Sequence, residues 1–218
     1  MDKLTERKHL LDLIEGYFSE CIKSSDEYRK IYSNIKQTSY DGNAEFYLSD
    51  SEESCINFDI LKKVYFMEHN ERYRKLSETK YPGYPYTQLD EYCSNDAVAI
   101  FDDMDYFIEF KNKAKLNNNK KNKNDDRITE KIKDSVLIYL DILDEKLSYT
   151  RKNLGYILVY NPTKSEQEID KINAMIKKYG QKEIDKFGLR ANYEDFYFKR
   201  VRIMSKEVFK EFLDDRVN

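Results

Sequence analysis

The chain of 218 residues has no tryptophan, three prolines, six glycines, three cysteines and two histidines. Cys21, Cys55 and Cys93 are odd in number and far apart, so neither a disulfide framework nor a cysteine-based zinc site is expected. His9 and His69 fall on separate predicted helices without a ligand-spaced partner, and we expect both on the surface. These scarcities leave carboxylates, amines and tyrosines to carry any chemistry.

Several motifs are also missing from the sequence. It has no glycine-rich phosphate loop, no serine elbow and no cysteine nucleophile with a nearby histidine, which argues against nucleotide-driven motors, acyl-transfer hydrolases and Rossmann enzymes. It has neither an apolar run of roughly 18 residues, as a bilayer span requires, nor an apolar secretory signal at its charged N-terminus. We therefore expect a cytoplasmic protein with no membrane partner. Abundant Lys, Asn, Ile and Tyr without Trp is typical of A+T-rich coding sequence, which suggests a bacterial or phage source.

Charge is unevenly distributed over a chain whose net charge is −3. Residues 111–133 contain nine Lys or Arg against three acids, whereas residues 41–53 and 90–105 are acidic. The basic run has two interpretations: contact with a phosphate backbone, or a solvated surface loop. Its candidate nucleic-acid-binding residues are Lys113, Lys115, Lys120, Lys121, Lys123 and Arg127.

The first part of the chain has helical spacing of apolar residues. Residues 4–37 predict an opening helix with a break near residues 24–25, and residues 58–77 predict a second helix. The sequence YPGYPYT then ends the helical pattern, because proline and glycine disfavour it. We therefore predict an N-terminal helical region over residues 1–80.

The remainder, residues 81–218, predicts an α/β core. NDAVAIF and YFIEFKN read as a β-hairpin, residues 128–147 as an amphipathic helix, and GYILVYN as a strand covered on both faces. Residues 165–180 follow a capping signature and predict a helix, and a strand and a helix close the chain. The predicted fold is a mixed central sheet flanked by helices, with an antiparallel first pair of strands.

Three polar residues of the predicted hairpin project to one face of the sheet. Alternation along the second strand puts Glu109 and Lys111 on the same side, and a turn at residues 102–105 brings positions 96 and 97 beside positions 110 and 111. Asp96 therefore approaches the Glu109/Lys111 pair. Two neighbouring carboxylates repel each other unless a cation lies between them, and such oxygen ligands suit Mg²⁺ or Mn²⁺.

Asp96 and the sequence Glu109-Phe110-Lys111 on adjacent strands, followed by a helix and a strand, resemble the PD-(D/E)XK nuclease superfamily, which has a restriction-endonuclease-like core. The resemblance covers residues 58–161 and departs from the family pattern at Asn95, where the family name has proline. It implies that Asp96 and Glu109 bind a divalent metal, that the Phe110 carbonyl completes the metal shell, and that Lys111 is catalytic.

The same resemblance implies two further contributions. An upstream acid from the first helix often completes the metal site, and Glu68, Glu71 and Glu91 are the candidates among which the sequence does not choose. Members of the superfamily also place a basic or polar residue on the helix after the hairpin, where this chain has Lys131 and Ser135. Lys131 thus joins the nucleic-acid-binding candidates, with an ordinary surface lysine as the alternative.

The expected function is a Mg²⁺-dependent or Mn²⁺-dependent phosphodiester hydrolase, a nuclease with DNA favoured over RNA as partner. The alternative for the hairpin is an amphipathic strand with one solvated face, since opposite charges across strands are common sheet stabilisers. The alternative for the protein is a catalytically inactive nuclease-fold binding protein, a phage antagonist or immunity protein, that meets a basic protein partner through its acidic surface.

Overall fold

The computed structural model describes residues 3–80, 92–112, 127–162 and 188–216. The predicted helix over residues 165–180 and the Asn/Lys-rich segment 117–126 lie outside this part of the chain. Within it the protein is an α/β structure with a six-stranded mixed sheet flanked by helices.

The predicted N-terminal helical region is confirmed, but it also contains four short strands, which the prediction that everything before residue 80 is helical did not include. Three helices come first. The four short strands follow, with one short helix between the first and the second strand, and the long helix α5 comes after them. The elements are α1 (Lys3–Tyr17), α2 (Glu20–Lys23), α3 (Asp26–Arg29), β1 (Tyr32–Asn34), α4 (Ile35–Thr38), β2 (Tyr40–Asp41), β3 (Phe46–Tyr47), β4 (Ser54–Asn57) and α5 (Phe58–Lys80).

The second part follows the predicted order in the residues that the structure describes. The hairpin, the amphipathic helix, the buried strand and the closing strand and helix are all present. Their bounds are β5 (Ala97–Phe101), β6 (Met104–Lys111), α6 (Ile128–Leu143), α7 (Leu147–Asn153), β7 (Leu154–Tyr160), α8 (Leu189–Tyr193), β8 (Arg200–Ser205) and α9 (Lys206–Asp214).

The main sheet has the strand order β1-β4-β5-β6-β7-β8. The pairs from β1 to β6 are antiparallel, whereas β6 with β7 and β7 with β8 are parallel. Strands β1 and β4 of the N-terminal region thus belong to the same sheet as the second part. The three antiparallel strands β4, β5 and β6 form a meander into which α5 is inserted after the first strand.

The turn of the β5–β6 hairpin is tighter than predicted. Phe101 pairs with Met104, so only Asp102 and Asp103 connect the strands, with positive φ angles of 48° and 62°. Aspartate is one of the residues that adopts this backbone region with little strain. The two-residue turn sets a register in which Ala97 faces Ile108.

Helices cover both faces of the sheet, and the alternation of β6 assigns its residues to these two layers. One layer contains α1, α5 and α6, which pack buried side chains such as Ile14, Leu61 and Ile132 against Phe107. The opposite layer packs residues of α4 and α9 against the other face of β6. Because Phe107, Glu109 and Lys111 alternate on one side of the strand, the candidate site faces the α1/α5/α6 layer.

His69 is not on the surface, contrary to the expectation from sequence. Its side chain is only 14% exposed, and its Nε2 lies 2.7 Å from the hydroxyl of Tyr17. Asp141 of α6 accepts a hydrogen bond from the same hydroxyl at 2.6 Å. This polar cluster joins α1, α5 and α6. The side chain of His9 lies outside the described part.

None of the helices in the described ranges is long and apolar enough to cross a membrane.

Candidate functional site

The carboxylates of Asp96 and Glu109 lie close together, since Lys131 Nζ contacts both. Asp96 immediately precedes β5, its N–H donates to the Ile108 carbonyl at 3.0 Å, and Ala97 pairs with the same Ile108. Asp96 and Ala97 therefore both lie against one residue of β6, and the regular antiparallel ladder ends at Ala97. The sequence-based register, with positions 96 and 97 beside positions 110 and 111, was off by two residues because the turn has two residues and not four.

Lys111 follows two residues after Glu109 on the same face of β6. Its Nζ lies 2.7 Å from Glu109 Oε1, and the Glu109 side chain is completely buried. The structure thus brings together the three residues that the sequence singled out, Asp96, Glu109 and Lys111. Their catalytic and metal-binding roles stay predictions.

The main chain of Phe110 holds the Asp96 carboxylate in place. The Phe110 N–H donates to Asp96 Oδ2 at 2.6 Å. Carbonyl groups two residues apart lie on the same edge of a strand, and the Ile108 carbonyl is directed at Asp96. The Phe110 carbonyl is therefore on the edge of β6 that faces Asp96, where the predicted third oxygen ligand has to be.

Helix α6 contributes a second ammonium group to this site. Lys131 Nζ lies 2.7 Å from Glu109 Oε1 and 3.5 Å from Asp96 Oδ1. One turn later on the helix, Ser135 Oγ accepts a hydrogen bond from the Asn95 N–H at 2.9 Å. The interpretation of Lys131 as an ordinary surface lysine is wrong, because its side chain is only 21% exposed and contacts both acids. Its contact with nucleic acid stays a prediction.

Burial and mutual repulsion shift the protonation of the site. Burial, followed by the charge of Glu109, raises the pKa of Asp96 to about 7, although Lys131, the Phe110 N–H and Lys111 act in the opposite direction. Burial lowers the pKa of Lys131, but the charges of Asp96 and Glu109 outweigh it, and the net shift is upward. Lys131 is therefore an ammonium ion at neutral pH, whereas Asp96 is close to its midpoint of titration.

Buried polar atoms without a partner surround the acid pair. Within the described residues, Glu109 Oε2 accepts no hydrogen bond, and the Tyr156 hydroxyl on the adjacent strand β7 makes none. Burial and then the charges of Glu109 and Asp96 raise the pKa of Tyr156, which shows that these groups are close in space. A buried polar atom without a partner is costly, so Glu109 Oε2 is suited to a ligand that the described residues do not supply.

The donor set fits a hard divalent cation. No group of three or more His, Cys, Asp or Glu residues in the described ranges is arranged to hold a metal ion. Mg²⁺, however, is usually held by one or two carboxylates, with water or substrate oxygens completing its shell. Asp96, Glu109 with its unpaired Oε2, and the Phe110 carbonyl provide such a set.

The structure does not bring Glu68 or Glu71 to this acid pair. The Glu68 carboxylate accepts hydrogen bonds from the N–H and the hydroxyl of Ser19 at 2.9 and 2.7 Å and forms an ion pair with Arg72. Glu71 forms ion pairs with two basic residues of its own helix. The third candidate, Glu91, lies outside the described residues.

Asp59 of α5 lies near the site, since its charge acts on Lys131, and the sequence reasoning missed it. The helix begins beside the hairpin, since the Phe58 N–H donates to the Asp96 carbonyl at 3.1 Å. The Asp59 carboxylate accepts a hydrogen bond from the Ser94 hydroxyl, and its charge contributes to the raised pKa of Lys131. The available signal was the position of Asp59 in the first turn of the predicted helix.

The predicted nucleic-acid-binding residues Lys113, Lys115, Lys120, Lys121 and Lys123 lie outside the described residues. Arg127 is described: it is exposed and precedes α6 with a positive φ of 47°.

Comparison with known proteins does not identify a relative, since no protein-family model, no curated protein sequence and no solved structure matches the chain. The resemblance to the PD-(D/E)XK superfamily therefore stays a prediction, and the function proposed below rests on the geometry of the site.

Proposed function

We propose that the protein is a metal-dependent phosphodiester hydrolase, a nuclease of the PD-(D/E)XK type, with Asp96, Glu109 and Lys111 at its active centre. One observation carries the proposal: the carboxylates of Asp96 and Glu109, which both contact Lys131, lie beside Lys111, and one buried oxygen of Glu109 has no partner in the described part of the chain. An amphipathic strand with a solvated face does not account for a completely buried glutamate.

Each residue of the proposed active centre has its own role in phosphodiester cleavage. Asp96, Glu109 and the Phe110 carbonyl would hold Mg²⁺ or Mn²⁺, and the ion would supply Lewis-acid activation of water and of the phosphoryl group. The Phe110 N–H fixes the orientation of the Asp96 carboxylate. Lys111, whose ammonium group contacts Glu109, stabilises the negative charge that develops on the phosphate during attack.

Nucleic acid is the proposed substrate, with DNA favoured over RNA by analogy with the superfamily. The basic composition of residues 111–133 supports a polyanionic substrate. The three cysteines are free thiols, which fits the reducing cytoplasm that we propose as the location.

A second function deserves a test, because Lys131 places an ammonium group on both acids of the site. In a protein that has the nuclease fold but no catalytic activity, such an internal ion pair would stabilise the fold. That protein would act by binding a basic partner through acidic segments such as residues 41–53.

The experiment compares cleavage of plasmid DNA and of RNA with Mg²⁺, with Mn²⁺ and with EDTA. Asp96→Asn, Glu109→Gln and Lys111→Ala are tested beside Glu71→Gln, an acid that the structure keeps away from the site. Metal-dependent cleavage that the first three substitutions abolish and Glu71→Gln preserves supports the nuclease. An absence of cleavage together with an absence of calorimetric metal binding rejects it and favours the binding protein.

A further inference from the structure

Lys131 already provides a positive charge at the position where a divalent cation has to act. Its Nζ lies 2.7 Å from Glu109 Oε1 and 3.5 Å from Asp96 Oδ1, so it bridges the acid pair. Lys111 Nζ contacts the same Glu109 oxygen at 2.7 Å. The site thus contains two carboxyl groups and two ammonium groups in a largely buried environment.

The charge count decides what happens when a metal binds. With both acids ionised, the two carboxylates and the two ammonium groups are neutral together, so a divalent cation added to the intact cluster leaves two uncompensated positive charges. Uncompensated charge in a buried site is strongly unfavourable. One ammonium group therefore has to leave the acids as the metal enters.

Lys131, rather than Lys111, is the group that leaves. Lys111 lies on β6, where it pairs with Tyr160 of β7, and its Nζ contacts Glu109. Lys131 bridges both acids, and its partly exposed side chain has access to solvent. Its departure frees both carboxylates at once.

The backbone around Lys131 does not have to move for this exchange. Helix α6 is fastened to the segment before β5 by two hydrogen bonds, from the Cys93 N–H to Asp134 Oδ2 and from the Asn95 N–H to Ser135 Oγ, each at 2.9 Å. These bonds hold the helix one turn beyond Lys131. A rotation of the lysine side chain is therefore enough to move its ammonium group away from the two acids.

We propose that Lys131 is a built-in counter-cation that neutralises the acid pair in the metal-free protein and competes with the divalent metal for it. The inference rests on the proposed function, since it concerns the same metal site. Lys131 thereby sets the metal affinity of the site and keeps the fold stable when no metal is bound.

The test is a calorimetric titration of EDTA-stripped protein with Mn²⁺, together with thermal unfolding with and without Mn²⁺. Lys131→Met removes the charge at similar length, and Lys131→Gln removes it while keeping a hydrogen-bond donor for Glu109. Lys131→Arg keeps the charge. Lys133→Met is the matched control, because Lys133 is exposed on the same helix.

We expect Lys131→Met and Lys131→Gln to bind Mn²⁺ about tenfold more tightly than the wild type, because these substitutions remove the competing charge. The affinity of Lys131→Arg and Lys133→Met for Mn²⁺ should exceed that of the wild type by no more than about threefold. Without metal, the two uncharged variants unfold at lower temperature than the wild type, and Mn²⁺ raises their unfolding temperature by more. Either uncharged variant suffices if the other does not fold.

Two results overturn the inference, and they are distinguishable. If the uncharged variants bind Mn²⁺ no more tightly than the wild type, Lys131 does not compete, while the proposed metal site and nuclease stand. If neither the wild type nor any variant binds Mn²⁺, the metal site itself is wrong and the proposed function fails with the inference.

Discussion

The Asp96 carboxylate replaces a main-chain carbonyl in the hairpin: its Oδ2 accepts the Phe110 N–H at 2.6 Å at the point where the β5–β6 ladder ends. The N–H of the same aspartate donates to the Ile108 carbonyl. Asp96 is therefore held by both its backbone and its side chain to one edge of β6. Its orientation toward Glu109 is fixed by the strand itself.

The raised pKa of Asp96 predicts that its ionised carboxylate destabilises the folded protein at alkaline pH when no metal is added. Its pKa of about 7 in the folded state is above the value near 3.9 of an unfolded chain. The folded state thus binds the extra proton between these values, so stability decreases as pH rises from about 4 to 7. We expect Asp96→Asn to be more stable than the wild type by about 4 kcal/mol at pH 8 in EDTA, with a smaller difference near pH 4. Urea unfolding at several pH values measures this.

Asp103→Asn is the control for this comparison, because Asp103 is an exposed acid in the turn of the same hairpin. It should leave the pH dependence of stability unchanged. An Asp96→Asn protein that is less stable than the wild type at pH 8 would show that the carboxylate is stabilised rather than strained.

The same pKa predicts how metal affinity depends on pH. Only the deprotonated carboxylate is a ligand, and with a pKa of about 7 roughly one Asp96 in eleven is ionised at pH 6 and ten in eleven at pH 8. The Mn²⁺ dissociation constant should be about tenfold larger at pH 6 than at pH 8. Calorimetry in two buffers of different ionisation enthalpy at pH 6.5 also counts the proton released. An affinity that is constant over this range contradicts the assignment of Asp96 as a ligand.

Asp59 is predicted to support the site from the first turn of α5. Its charge acts on Lys131, and its carboxylate is bonded to Ser94 just before Asp96. We expect Asp59→Asn to lower metal-dependent cleavage about tenfold, in the range typical of residues that support metal ligands. Asp26→Asn, which changes an exposed acid in the first turn of α3, should have no effect. Equal rates for the two variants would remove Asp59 from the site.

Glu68 is predicted to act on stability and not on metal binding. It is 4% exposed and its carboxylate accepts the N–H and hydroxyl of Ser19 and pairs with Arg72. Loss of a buried, charge-assisted hydrogen-bond set leaves donors unpaired, so Glu68→Gln should lower the free energy of unfolding by about 1–3 kcal/mol. Glu71→Gln, which breaks exposed ion pairs of one helix, should change it by less than about 0.5 kcal/mol. A change in Mn²⁺ affinity for Glu68→Gln would contradict the geometry.

The sequence predicts the elements whose pattern is local. The buried runs of β5, β6 and β7 and the apolar stripe of α6 follow from periodicity alone, and all four are present. Strands β1 to β4 were missed because they contain two to four residues, too few for an alternation to be recognised. Strand β4 exists because it pairs with β5, which lies across a 23-residue helix in the chain.

Only some residues of the candidate site could be predicted from the sequence. Glu109 and Lys111 share a face by alternation, and a hairpin brings Asp96 to them, so the sequence was sufficient for these three residues. Lys131 and Asp59 reach the site only through the packing of α6 and α5 on the sheet. No pattern within either helix specifies which turn approaches the carboxylates, and tertiary packing decides this.

The pairing of β4 with β5 also bears on how the protein can be dissected. Ile56 faces Val98 and Asn57 faces Ala97 across this pair, so the first eighty residues supply the neighbour of a central strand. A fragment that starts at residue 81 would present the hydrogen-bonding edge of β5 and its apolar side chains to solvent, and such edges recruit strands from other molecules. We expect that fragment to aggregate, whereas a nuclease core that folds by itself would remain monomeric in solution.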